Sequence, residues 1–219
     1  MKTVLSLATA LMVASVGASS AATVVNWGFD EAPAVNGQRG NTFEDMPTAA
    51  HGGHSWDIWS SLPGWTTTSG AGIEVQSNRT LGSIDAHSGQ YYVELDSHNN
   101  SSMEQVLSLK KGTYNLSFWY SPRTNRMDSN GIAFRIGSMA DSVMGPNGTY
   151  RRGEWTEVTR RFTIDKDGDY ALGFAAIGRS DSYGGLIDSV GISAVPLPAT
   201  ALLLLGGLAG LGAMRRKSS

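Results

Sequence analysis

Carboxylates, histidines and aromatic rings are the groups in this chain that could do chemistry, because its 219 residues include no cysteine and thiol chemistry is excluded. Glu94, Asp96, Glu104 and Glu157 could in principle flank a glycosidic bond as acid and base. They are scattered along strand-like segments, where carboxylates ordinarily serve solubility, and no catalytic residue is assigned among them. His51 and His54 have a ligand-like spacing, yet no cysteine or adjacent acidic partner accompanies them. The chain holds no Gly-x-Ser-x-Gly elbow, His-Glu-x-x-His helix, phosphate-cradling loop or dinucleotide fingerprint. The expectation is a protein that is not an enzyme.

Aromatic rings suggest binding instead, since pyranose C–H faces pack on outward rings while nearby polar groups fix orientation. Trp119, Tyr92 and Arg135 fall on the outward register of their strands and are the candidate ligand-binding residues. The alternative is that a long loop, residues 31–55, covers this face and makes Trp119 part of a second small core. Trp56, Trp59, Trp65 and Trp155 occupy loop or corner positions and are expected to pack.

Short strands must position these groups. Tyr91, Val93 and Leu95 alternate with Tyr92, Glu94 and Asp96, and Tyr114, Leu116, Phe118 and Tyr120 alternate with Asn115, Ser117 and Trp119. Residues 24–30, 72–76, 103–109, 132–136, 158–164, 170–174 and 186–193 read as further strands, 62–67 as a corner entering one, and 56–59 as a brief turn. Roughly nine or ten short strands, without helical periodicity between the chain ends, predict an all-β sandwich or jelly roll. With 17 Lys+Arg against 19 Asp+Glu, no basic field exists to attract nucleic acid.

The ends carry addresses. Lys2, an apolar stretch at 4–16 and small residues at 17–22 form a secretory signal peptide, cut after Ala22 or Ala21. Residues 199–214 are uncharged and apolar, and Arg215-Arg216-Lys217 follow. At about 1.5 Å per residue this is a minimal single transmembrane helix, with the C-terminus in the cytoplasm by the positive-inside rule. The domain plan is signal peptide 1–22, β-sandwich 23–194 and tail 195–219.

Val195-Pro196-Leu197-Pro198-Ala199, the apolar run and the basic end together resemble the VPLPA class of C-terminal sorting signals, relatives of the PEP class. That resemblance implies an exosortase-type membrane peptidase as partner, besides signal peptidase. It also implies transient anchoring in the inner membrane, then passage to the cell surface or extracellular matrix. Two prolines hold the motif extended, the shape a protease needs.

The body resembles galactose-binding-like jelly rolls, carbohydrate-binding modules and cell-wall domains of the DUF642 kind. The residues that carry this are the run Leu116 through Arg123, the Trp65 corner, Tyr92-Val93-Glu94-Leu95-Asp96 and Gly184 through Val190. It implies a non-catalytic domain that meets exopolysaccharide. It also implies a structural Ca2+ where Asn26-Trp27-Gly28-Phe29-Asp30 adjoins Ile187-Asp188-Ser189-Val190, with Asp30 and Asp188 as ligands, since calcium takes several oxygens at once. The alternative is that Asp30 caps a strand end and Asp188 bonds a turn.

Overall fold

A computed structural model describes residues 23–48 and 55–196. The signal-peptide segment, His51 and His54, the motif residues Leu197, Pro198 and Ala199, and the apolar and basic parts of the tail lie outside the described residues. Among the described residues no helix is long and apolar enough to cross a membrane.

Twelve strands and one helical turn make up the described chain. After α1 (Asp45–Thr48) come β1 (Trp56–Trp59), β2 (Ser61–Leu62), β3 (Trp65–Ser69), β4 (Ile73–Ser77), β5 (Tyr91–Glu94) and β6 (Ser102–Leu109). They are followed by β7 (Gly112–Pro122), β8 (Gly131–Ile136), β9 (Met139–Val143), β10 (Thr156–Ile164), β11 (Gly168–Ile177) and β12 (Gly185–Ala194). One six-stranded sheet runs β1-β4-β5-β12-β7-β10 and the other β2-β3-β6-β11-β8-β9. All recorded pairings are antiparallel, and the two sheets form the sandwich expected from the alternation.

The predicted inward residues of β7, namely Tyr114, Leu116, Phe118 and Tyr120, are all buried. Between the sheets Phe118 meets Phe134 of β8 edge-on at 4.9 Å and Phe174 of β11 at 5.1 Å. Burying side chains of this size contributes about 1.5–3 kcal/mol each, which sets the register of every strand that supplies one. The β2–β3 hairpin turns at Pro63-Gly64, where Gly64 has φ +79°, a value that suits glycine at the third position of a tight turn.

Three expectations change. Residues 24–30 are turns rather than a strand, because Asn26 (φ 49°) and Phe29 (φ 59°) leave the extended region. The side chain of Gln105 takes the place of a neighbouring strand there: Val25 N donates to its Oε1 at 2.8 Å, and its Nε2 donates to Val25 O at 2.9 Å. Phe29 is thereby turned into the core against Trp65, at 5.8 Å. Residues 56–59 are strand β1, held on β4 with Trp56 opposite Gln76 and Ile58 opposite Glu74.

The third change concerns the outer face of the first sheet. The loop of residues 31–48 does not lie over Trp119. It wraps the β1 edge, with Phe43 against Tyr91 and Trp59 on the inner side, Asp57 accepting the Arg39 and Asn41 amides, and the Arg39 side chain over Trp56. The β4–β5 connection, together with Trp155, covers part of the outer face instead: Leu81, Ile84, Ala86 and Trp155 form a small apolar cluster with Tyr92 and Leu186.

Candidate functional site

On the outer face of the first sheet, side chains stand in cross-strand rows. Glu74 of β4 is opposite Glu94 of β5, which is opposite Leu186 of β12 and then Ser121 of β7. The neighbouring row begins with Trp56, Gln76 and Tyr92. Where the β4–β5 connection does not cover this face, an open polar cleft of about 690 Å3 remains. Glu74 and Gln76 line it, together with Trp56, Arg123, Asp181 and Tyr183.

The two glutamates share one amide. Gln76 Nε2 donates to Glu74 Oε1 at 2.6 Å and to Glu94 Oε2 at 2.7 Å. Arg123 Nη1 donates to Glu94 Oε2 at 2.5 Å and to Ser182 O at 2.9 Å, and Gly184 N donates to Glu94 Oε1 at 2.5 Å. Burial pushes the Glu74 carboxyl up to about 7, opposed by its bond from Gln76 and by the charges of Arg123 and Arg39. Burial and the adjoining Glu74 also hold Glu94 well above the usual range, against the pull of Arg123.

The wall is built by buried Asp96, which accepts the amides of Asp181 at 2.9 Å and Tyr183 at 3.3 Å and so fixes the 179–184 turn. Tyr183, 48% exposed, is presented from that turn with the Arg123 guanidinium on its ring at 4.9 Å. Arg39 lies in the same way over Trp56, at 4.1 Å. Gln76 Oε1 and Asp181 Oδ1 are buried acceptors without a hydrogen-bond partner.

The candidate ligand-binding residues are not gathered at this cleft. Tyr92 is on the outer register as expected, but it is wholly buried beneath Trp155, with ring centroids 5.9 Å apart, and offers no face to a sugar. Trp119 is half-buried, and His87 is stacked on it at 3.8 Å and 13°. Arg135 belongs to the opposite sheet, where it pairs with Glu104 at 2.8 Å beside a separate groove of about 290 Å3. Trp56, Tyr183 and Gln76 escaped sequence reasoning. The sequence reads Trp56 as part of a turn, and a lone five-residue strand such as β4 gives no sign that Glu74 and Gln76 are buried along with the residues of its other face.

Asp30 and Asp188 do come together. A Cβ on Gly28 would lie 3.3 Å from Asp30 Oδ2 and 3.9 Å from Asp188 Oδ1, and one on Gly89 (φ +70°) would lie 1.9 Å from Asp30 Oδ2. Two glycines thus leave room for the carboxylates to approach. Asp30 Oδ1 accepts Gln90 N at 2.8 Å, while Asp188 accepts Ser88 N at 3.0 Å and Ser189 N at 2.5 Å. Burial raises Asp188 to about 7, its backbone bonds oppose this, and the charge of Asp30 adds to it. This oxygen-only pair has the donor chemistry a hard cation such as Ca2+ takes, although Ca2+ needs more oxygens than two carboxylates supply. No cluster of three or more His, Asp or Glu that could hold a metal occurs among the described residues.

No family model and no curated protein matches the chain. Its structural neighbours are carbohydrate-binding modules. A family 61 module in complex with β-1,4-galactotriose is 21% identical, with a TM-score of 0.42 over 64% of this chain and 88% of that one. A family 35 module from Paenibacillus barcinonensis is 18% identical, with a TM-score of 0.39 over 60% and 94%. A family 6 module from Cellvibrio mixtus lichenase 5A, in complex with cellotriose, is 13% identical, with a TM-score of 0.40 over 59% and 92%.

Proposed function

We propose that this chain is an exported, non-catalytic carbohydrate-binding protein with a galactose-binding-like jelly roll. Its signal peptide directs export, and its tail holds it briefly in the inner membrane with the C-terminus in the cytoplasm. An exosortase-type peptidase then acts at the Val195 to Ala199 motif and frees it for the cell surface or matrix, where it meets exopolysaccharide. The observation that carries the binding reading is the open cleft, where the rings of Trp56 and Tyr183 flank unpartnered acceptors on Gln76 and Asp181. Stacking rings beside a few fixed polar groups is the arrangement a sugar requires.

Catalysis is the weaker reading of the same site. Glu94 is 0% exposed and both its oxygens are already bonded, so Glu74 and Glu94 cannot act on opposite sides of a glycosidic bond. The other carboxylates are spread apart: Asp96 holds the wall, Glu104 pairs with Arg135 on the second sheet, and Glu157 lies on β10. A structural Ca2+ between Asp30 and Asp188 belongs to this proposal, as a clamp from the N-terminal segment to β12.

Affinity electrophoresis of the full chain through gels containing polysaccharide tests the binding half, with retardation expected. If neutral and acidic polymers alike leave its migration unchanged with Ca2+ supplied, a purely structural matrix role replaces this reading. Intact-mass measurement of the protein recovered outside the cell tests the export half. A mass lacking both the first 22 residues and the apolar run is expected, and a full-length mass in the membrane fraction would rule out processing.

A further inference from the structure

We propose that the cleft selects neutral glycans, whose inserted edge donates hydroxyl hydrogens, and turns away glycans bearing carboxylate or sulfate. This rests on the carbohydrate-binding reading above and adds the chemical class of the ligand.

Among the described residues that line the cleft, the buried side-chain atoms without a partner are both acceptors. Gln76 is 1% exposed, and both hydrogens of its amide nitrogen are committed to Glu74 and Glu94. In this orientation the nitrogen, and not the oxygen, faces Glu74 and Glu94. Gln76 Oε1 is left as an acceptor with nothing to accept. Asp181 repeats the pattern: Oδ2 takes Ser129 Oγ at 3.0 Å and Arg126 Nη1 at 3.3 Å, and Oδ1 is buried without a partner. A buried acceptor without a donor costs about 1–3 kcal/mol, so a ligand hydroxyl that supplies the donor recovers that loss.

Arg79 and Arg123 are the arginines of the lining, and the less exposed of the two, Arg123, is already engaged. Arg123 is bonded to Glu94 and Ser182, and Arg126 to Asp181. Arg79 and His98 are exposed at the rim, with Arg79 turned toward Asp85 at 3.7 Å. An anionic sugar entering the cleft would face Glu74 and Asp181, while Arg123 is held on Glu94 beneath them. A neutral sugar would meet two waiting acceptors and the Tyr183 ring.

The test is titration calorimetry of the full chain at pH 8 against β-1,4-galactan and a soluble β-glucan on one side, and polygalacturonate and alginate on the other. Binding to at least one neutral polymer is expected, with every acidic polymer at least tenfold weaker. Glu74→Gln keeps the shape and the bond from Gln76 but removes the charge, and should narrow that discrimination at least threefold. Asp181→Asn is the second variant and should narrow it likewise if Glu74→Gln does not fold. Acidic polymers bound as tightly as neutral ones by the unmodified chain would overturn the inference alone. Unchanged discrimination in both variants would do the same. Binding to neither class would defeat the carbohydrate-binding reading itself, and this inference with it.

Discussion

His87 lies flat on Trp119, the ring centroids 3.8 Å apart and the planes 13° from parallel, and His87 Nδ1 is 2.8 Å from Ser189 Oγ. The stack fastens the β4–β5 connection to β7 and β12, so Trp119 works as an anchor for the cover. Trp119→Ala should therefore lower stability by about 2–3 kcal/mol, the loss of a half-buried large ring. Glycan affinity should stay within about twofold. Chemical denaturation and calorimetry on the same variant check the two parts.

Tyr183 should behave in the opposite way. Its ring is largely exposed and its backbone amide, not its side chain, is what Asp96 holds. Tyr183→Ala is expected to shift the melting temperature by no more than about 2 °C, because surface changes usually stay within ±0.5 kcal/mol. Glycan affinity should fall about tenfold, the scale of one lost stacking contact.

Stability should depend on pH through Glu74, which faces Glu94, Arg123, Arg39 and Asp96. Its carboxyl titrates near 7 in the folded protein against an ordinary 4.5, so the folded form holds the proton more tightly than the unfolded chain. The stability gained this way is full below pH 4.5 and is lost as pH rises through 7. Unfolding free energy should drop by up to about 3 kcal/mol between pH 5 and pH 8.5 from this residue. Glu74→Gln should remove that share of the slope, as urea titrations at several pH values would reveal.

Millimolar Ca2+ should raise the melting temperature at constant pH, since a ligand that binds only the folded state stabilises it by mass action. At a hundred times its Kd the gain is about 2.7 kcal/mol. Asp30→Ala and Asp188→Asn should each abolish the rise, while Asp141→Asn, at a distant exposed carboxylate, should leave it intact. Differential scanning calorimetry with Ca2+ and with chelator reads the difference.

The sandwich was legible because period-two alternation is a local signal, and β7 displays it over its whole length. The cleft was not, because its ingredients are brought together by long-range pairing. Glu74 meets Glu94 only through the β4–β5 register, and Arg123 and Gly184 reach them from far along the chain. Alternation also implies that one face of a strand sees water, a rule that fails wherever a connection folds back over the sheet. Leu81, Ile84 and Ala86, apolar residues within a Gly- and Ser-rich connection, were the available hint that Tyr92 would be covered. Val24 and Val25 suggested a strand, and nothing local announced that a glutamine side chain would replace the neighbour. Asp30 and Asp188 were foreseen as a pair through the resemblance, whereas Trp119, Tyr92 and Arg135 were chosen by register alone, which does not say what lies above a sheet.

The last strand, β12, sits between β5 and β7 in the middle of its sheet and ends at Ala194; Val195 N still donates to Thr113 O at 2.8 Å. Until β12 is added, the first sheet is two pieces, β1-β4-β5 and β7-β10, each with an open edge and no strand pairing between them. Closing this sheet is a long-range step that waits for β12, the kind of late pairing that is slow and leaves strand edges bare in the meantime.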